Sequence, residues 1–308
     1  MVFTSTSMQE ILPILEKELA HHASVTFDVL NPDLYDCYAG NNISIDSVTY
    51  LYRSYKNWVD LAELLMCKMQ TPKENAYPLV TLCFKKLEKE DSFHLNTLGK
   101  KEEKYGVTSH FSQIHKMEES TFFYYYNQAL DNVKISNKRR LLNLGINTGD
   151  EFNVIRNKLN TKEYVKLDFV GVDHSNSAIA YAKSMFSEDN VTFYAEDINN
   201  LDNLKLGQFD LLISIGTLQS PSINFKPFFM KLVQEYLSED AAIILGFPNS
   251  RWIGGEMIYG AKAPNYAMSE MSLVCNDIMF CKKYLQQKKY RVTITGNQYL
   301  FITATKIL

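Results

Sequence analysis

Little in this chain is built to staple, to span a membrane or to grip a polyanion. Its five cysteines, Cys37, Cys67, Cys83, Cys275 and Cys281, include no C-x-x-C pair and are odd in number. That excludes a simple disulfide framework and reads as free, mostly buried thiols. No Cys/His cluster has ligand spacing, and the adjacent His21 and His22 point apart on a helix, so no metal site is expected. No apolar run approaches the ~20 residues that cross a bilayer. Met1 to Ser7 is polar and lacks the basic segment and apolar core of a signal peptide. These absences predict a cytoplasmic protein with no membrane partner. Positive charge is not in excess either: 32 Lys and Arg stand against 35 Asp and Glu, a net charge of −3. A nucleic-acid partner ordinarily demands a basic face, so the balance argues against one. Repeats and low-complexity tracts are absent too.

What is abundant is aromatic surface, with 19 Tyr and 18 Phe, which suggests an aromatic-lined pocket. The 308 residues suit one domain with a sizeable addition. Met8 to His22 reads as a helix, with Ile11, Leu12, Leu15 and Leu19 on one face. A second helix is predicted from about Asp46 to Met69, where Val48, Leu51, Tyr52, Tyr55, Val59, Ala62 and Met66 recur at helical spacing and Thr71-Pro72 follows. Tyr77 to Leu87 reads as a short strand. The charged stretch from Glu88 to Gly106 reads as a solvated connection. The expected division is therefore a mainly helical module over 1–105 and a second domain over 106–308.

From Arg140 strand-like and helical runs alternate. Strands are predicted at Leu141–Leu144, Asp168–Val172, Val191–Tyr194, Phe209–Ile215 and Ala242–Gly246. Helices are predicted near Glu151–Leu159, Ser177–Phe186, Phe225–Leu237 and Ser272–Gln287. Tyr290–Thr295 and Tyr299–Thr305, joined by Gly296-Asn297, read as an antiparallel hairpin. The pattern predicts an α/β fold, Rossmann-like, with an open and mostly parallel sheet covered on both faces.

Four places carry chemistry. The first strand runs into Leu144-Gly145-Ile146-Asn147-Thr148-Gly149, where glycine lets the backbone turn tightly and approach a ligand, and the following helix presents free N–H groups. The second strand ends at Asp173, 28 positions after Gly145, suited to bidentate hydrogen bonding with ribose hydroxyls and equally able to cap a helix. The third leads to Glu196-Asp197-Ile198, a carboxylate and an apolar side chain able to receive a purine. The fourth is followed by Gly216-Thr217-Leu218-Gln219, so Ser214 to Gln219 should face the reacting centre at the carboxyl end of the sheet. Asp210 is expected to tie its strand to neighbouring backbone.

Together these elements resemble the class I S-adenosylmethionine-dependent methyltransferases over about Arg140 to the end. The resemblance implies a seven-stranded sheet with its antiparallel hairpin at one edge. It also implies S-adenosyl-L-methionine as cofactor, with Asn143, Gly145, Asn147, Gly149, Asp173, His174, Asp197, Ile198, Ser214 and Gly216 around it. The family usually has an acid where this chain has Asn143 and a glycine where it has Asn147, which leaves open a weaker or shifted cofactor. A dinucleotide oxidoreductase shares the glycine loop and strand-two acid, but it would favour a fuller G-x-G-x-x-G and does not predict the Glu196-Asp197 position or the terminal hairpin.

Methyl transfer from a sulfonium chiefly needs alignment and exclusion of water, so no catalytic dyad need appear. Candidate catalytic groups are His110, His115, Tyr125, Glu256 and Tyr259. Candidate acceptor contacts are Gln219, Arg251, Tyr259, Lys262 and Tyr266, most of them in the long glycine- and aromatic-rich loop after the fifth strand. The reading is methylation of an oxygen or nitrogen of a small polar metabolite, with a homodimer as a possible assembly. Two alternatives stand beside it: an RNA or protein methyltransferase recruited through the N-terminal module, and a non-catalytic binding protein of the same fold.

Overall fold

The structure, a computed structural model, describes residues 1–88, 106–260 and 271–307. The chain divides into two compact units, Met1–Ser92 with Ile253–Ile258, and Phe93–Trp252 with Tyr259–Leu308. The domain boundary expected near residue 105 lies outside the described residues.

In the first unit, β1 (Val2–Phe3), α1 (Met8–His21), β2 (Ser24–Leu30), β3 (Asn42–Ile45), β4 (Val48–Leu51), α2 (Tyr55–Leu64), β5 (Cys67–Met69), β6 (Lys73–Glu74) and β7 (Leu79–Lys86) follow in order. A capping box starts α1: the Glu10 N–H donates to Ser7 Oγ and the Ser7 N–H to Glu10 Oε2, which satisfies two otherwise orphaned donors. The helix buries Ile11, Leu15 and Leu19 against Phe27, Trp58 and Phe84; Leu12, expected on the same face, is exposed. The helix expected over Asp46–Met69 is not formed as a whole. Asp46 and Ser47 both adopt positive φ, 47° and 68°, and join β3 to β4 as a two-residue hairpin turn. Helix starts only after Ser54, whose hydroxyl caps it. Small polar residues that tolerate the left-handed region override an apolar spacing that fits a helix equally well. Beside two α-helices, residues 1–88 therefore carry seven strands, a mixed α/β build where a mainly helical one was expected.

The second unit opens with α3 (Ser120–Asn132). It continues as β8 (Arg140–Leu144), α4 (Asp150–Lys158), α5 (Thr161–Tyr164), β9 (Asp168–Asp173), α6 (Asn176–Met185), β10 (Val191–Ala195), β11 (Phe209–Ile215), α7 (Phe225–Lys231) and β12 (Leu237–Pro248). In place of an uninterrupted loop after β12, β13 (Ser250–Ile253) and β14 (Glu256–Tyr259) form a hairpin around Gly254 and Gly255, of which Ile253–Ile258 belongs to the first unit. Then come α8 (Ser272–Gln287), β15 (Tyr290–Gly296) and β16 (Tyr299–Lys306).

Seven strands make one sheet in the order β10-β9-β8-β11-β12-β16-β15. The first five are parallel, and β16 is antiparallel to both of its neighbours. Strand side chains alternate between faces. Leu142, Leu144, Leu212 and Ile243 pack with residues of α7 and α8. Leu141, Ile213 and Ile244 pack with residues of α3, α4 and α6. The strand order reverses between β8 and β11, and their carboxyl ends therefore open a crevice there. Asp210 does what was expected of it: its carboxylate accepts the Arg139 and Arg140 backbone N–H groups at 2.8 and 2.9 Å and docks the start of β8 beside β11.

One buried ion pair ties the segment before α3 to the helix after β8. Lys116 Nζ lies 2.9 Å from Glu151 Oε1, with side chains 16% and 2% exposed. Burial works against the Lys116 ammonium, but the Glu151 carboxylate outweighs it and holds the amine above the ordinary lysine value. Burial raises the Glu151 carboxyl, and Lys116 offsets only part of that rise.

Two outcomes are expected. Lys116→Met leaves Glu151 buried without its cation and should cost about 3–5 kcal/mol in denaturant unfolding, most of which Lys116→Met combined with Glu151→Leu should recover; equal loss in both variants would refute the pairing. Asp210→Ala strands two backbone donors and should lower the free energy of unfolding by about 1–3 kcal/mol, read as a lower denaturant midpoint at unchanged slope.

Candidate functional site

The loop after β8 is shaped by three left-handed residues: Gly145, Asn147 and Gly149, with φ of 79°, 49° and 95°. Asn147 thus takes the backbone conformation for which glycine is the usual choice, and it is among the residues that do so at least cost. Gly145 is required for a second reason. A Cβ there would lie 1.9 Å from Thr217 Oγ1, in the turn that follows β11. A Cβ on Gly149 would lie 2.7 Å from the Phe186 ring.

Asp173, at the carboxyl end of β9, organises this loop. Its side chain is 7% exposed. Oδ2 accepts the Asn147 backbone N–H at 3.0 Å, and Oδ1 accepts the Ser175 N–H at 2.9 Å and lies 3.4 Å from His174 Nδ1. A carboxylate offers about four lone-pair sites, so this one retains capacity for two vicinal hydroxyls. The Gly145 N–H donates to Val172 O at 2.8 Å, and the Glu196 N–H donates to Asp173 O at 2.9 Å. Those two bonds draw the ends of β8, β9 and β10 into one rim.

At the other side of β8, Ser214 Oγ donates to Leu144 O at 3.1 Å and is buried. Gly216 has φ of 72° and donates its N–H to Gly246 O. Gln219 is 8% exposed, and its buried Oε1 has no hydrogen-bond donor. Asn143 is 1% exposed within β8, and its Nδ2 has no acceptor. An unpaired buried polar atom is costly, so both positions suit partners supplied by a bound molecule or its water. Past β10, Asp197 is exposed; its Oδ1 accepts the Asn199 backbone N–H at 2.9 Å and side-chain Nδ2 at 3.0 Å. Ile198 is 6% exposed and turns into the core cluster with Val170 and Leu201, so little of it is left to stack on a ring.

A cavity of about 270 Å³ borders the glycine loop. Asn147, Thr148, Asp150 and Glu151 form one wall, and Phe111, Ile114, His115 and Lys116 form another. His115 is exposed beside it, whereas Tyr125 is half-buried in α3 with its ring edge-on to Tyr124. His110 begins a short turn, His110–Gln113.

Of the expected acceptor residues, Gln219 lies in the turn whose Thr217 meets Gly145, and the others are not gathered here. Glu256 belongs to the first unit, where it pairs with Lys68. Arg251 lies in β13, and Tyr259 is exposed at the end of β14. Lys262 and Tyr266 lie outside the described residues. Conversely, Thr217, Lys116, Glu151 and Tyr299 belong to the site's surroundings and were not singled out from the sequence. Thr217 sits inside the Ser214–Gln219 run already placed at the reacting end. Nothing in the sequence pairs position 116 with 151.

These residues fit S-adenosyl-L-methionine. A buried carboxylate with free lone pairs stands at the ribose position, the backbone at Gly145 is bare of side chain, and buried polar atoms of Asn143 and Gln219 await partners. Residues 135–296 match the family model described as methyltransferase domain. No curated protein matches the chain. Among solved structures, the plantazolicin methyltransferase BpumL in complex with a pentazolic desmethylPZN analog and SAH aligns at 13% identity over 62% of this chain and 88% of its own, with a TM-score of 0.43. The methyltransferase domain of bacterial CtHen1 aligns at 14% identity over 60% and 97%, with a TM-score of 0.45. Likenesses of that strength carry no argument about activity. The family match spans more than half of the chain, ends within the terminal hairpin of the sheet and contains the glycine loop, Asp173 and the turn after β11. The chain belongs to the methyltransferase-domain family and is an S-adenosylmethionine-dependent methyltransferase.

Proposed function

We propose that the chain moves the methyl group of S-adenosylmethionine to an oxygen or nitrogen of a small polar metabolite. The observation that supports a small acceptor is the cavity beside the glycine loop, at about 270 Å³ near the lower end of ligand pockets. Its mixed lining, apolar at Phe111 and Ile114 and polar at Ser112, His115 and Asp150, suits a compact molecule with a few polar groups.

The cofactor, when bound, supplies a methyl group on a sulfonium whose departure as a thioether needs no acid. Asp173 would accept from the ribose hydroxyls, with Asn147 N–H and Ser175 N–H keeping its carboxylate in place. Gly145 would let the methionine end lie against bare backbone, and Asp197 would accept from the adenine amine through its remaining lone pairs. The segment from Val107 to Lys116, clamped by Glu151, would exclude water from the methionine end. Where the acceptor bears a proton of high pKa, His115 on the cavity wall would take it.

Calorimetric titration with S-adenosylhomocysteine should show binding that Asp173→Ala weakens by about ten-fold or more. Gly145→Ala should abolish binding, because its Cβ meets Thr217 and its φ is left-handed. Undiminished affinity in both variants would overturn the cofactor assignment. With tritium-labelled S-adenosylmethionine, label should enter the dialysable metabolites of a cell extract. Label confined to its RNA or protein would replace the small-acceptor reading.

A further inference from the structure

In the first unit two helices start side by side. The Leu51 N–H donates to Thr4 O at 2.9 Å, and Arg53 Nη2 donates to Thr6 O at 2.7 Å. Ser7 then caps α1 and Ser54 caps α2, so Arg53 lies where both helices begin. Its side chain is more than nine-tenths buried. A guanidinium keeps its proton in proteins. Burial pulls Arg53 below the ordinary arginine value, and among the described residues no carboxylate offsets that pull. Glu10, exposed at the start of α1, is bound to Ser7 and leaves the cation uncompensated. The partners of Arg53 are the Thr6 carbonyl and the face of Trp58, whose ring centroid lies 5.5 Å from the guanidinium carbon. Neither carries charge. A buried cation without a counter-ion is strongly destabilising, and one carbonyl cannot satisfy five N–H donors.

Trp58 adds a second unmet donor. Side chains on a helix lean back toward its N-terminus, which carries this indole from the fourth residue of α2 to the turn that holds Arg53. Trp58 is buried, and its Nε1–H has no acceptor. The Met8 and Gln9 N–H groups of α1, and those of Tyr55 and Lys56 of α2, have no acceptor within their own helices either. Donors thus converge on one place from a guanidinium, an indole and two helix starts. The missing partner is an acceptor with negative charge.

We propose that Arg53 and Trp58, with the first turns of α1 and α2, form a binding site for a phosphoryl group, free or carried by a small ester. A phosphoryl group offers three oxygens at tetrahedral angles, which suits donors arriving from a side-chain fork and two helix starts. A carboxylate offers only two, in one plane. One guanidinium answers one such group, and the neighbouring Lys56 is engaged by Asp60. The site therefore takes a single phosphate and lacks the basic track that a nucleic acid requires.

The test uses the full chain, whose two tryptophans are Trp58 and Trp252, so a Trp252→Phe background isolates the emission of Trp58. Inorganic phosphate and glycerol phosphate, titrated at constant ionic strength, should change that emission saturably and raise the melting temperature. Acetate should do neither. Tighter binding of glycerol phosphate would mark a small ester as the ligand, and tighter binding of inorganic phosphate would mark the free ion. Arg53→Met should weaken phosphate about ten-fold or more, with the affinity for S-adenosylhomocysteine unchanged. Arg53→Lys keeps the charge but loses the fork and should bind with intermediate affinity. A wild type indifferent to both phosphates would overturn the proposal, and so would a response that survives Arg53→Met or is matched by acetate. Should Arg53→Met fail to fold, Arg53→Lys decides: phosphate affinity equal to wild type would refute the site. A short single-stranded RNA that binds more tightly than glycerol phosphate, and loses that binding in the Arg53 variants, would replace the small ligand by a nucleic acid.

Discussion

Everything at the carboxyl edge of the sheet depends on one carboxylate being held in place. Asp173 takes the backbone N–H of Asn147 on one oxygen and that of Ser175 on the other, so it fixes both the glycine loop and the entry to α6. Withdrawing a charged group from water is expensive unless it is hydrogen-bonded, and here the backbone supplies the donors. The cost explains why the site is preformed. A loop with three left-handed positions at alternate residues, 145, 147 and 149, would otherwise sample many conformations. Anchoring its middle peptide to β9 selects one.

The second anchor works on the opposite wall. Lys116 and Glu151 are both withdrawn from water, and such a pair contributes little net stability over an apolar contact of the same shape. Its value lies in register: only one placement of the segment before α3 brings the ammonium to the carboxylate. Tyr126 reinforces this by donating its hydroxyl to the Glu151 carbonyl at 3.3 Å. The cavity between the two anchors keeps its shape because neither wall can shift without exposing an unpaired charge.

The methyltransferase half of the molecule was legible because its signals are local. Apolar runs of strand length alternate with helical ones, and α8 occupies Ser272–Gln287 as its spacing predicts. The glycine loop, Asp173 and the turn after β11 each sit at or just past the carboxyl end of a strand, so finding the strand finds the residue. What escaped was non-local or ambiguous. Val48 and Leu51 satisfy helical spacing, yet the left-handed Asp46-Ser47 turn makes them strand. The short α5 offers too few residues for any period to show. Glu256 looked like a catalytic group because it lies in a glycine-rich loop, but it belongs to the first unit, where its carboxylate is engaged by Lys68. Ion pairs between residues far apart in sequence leave no trace in spacing.

The position of β16 has a consequence for how the sheet is assembled. It is later in sequence than every other strand, yet it lies inside the sheet, paired with β12 on one edge and β15 on the other. During synthesis β12 must therefore wait with an open, apolar edge while α8 and β15 emerge, since Leu245 and Phe247 find their antiparallel partners only when Ile302 and Leu300 arrive. An open edge of that kind invites pairing with other chains, and contacts that close over long sequence separations form slowly. The same topology that places the cofactor crevice at the centre of the sheet leaves the β12 edge open until β16 has been made.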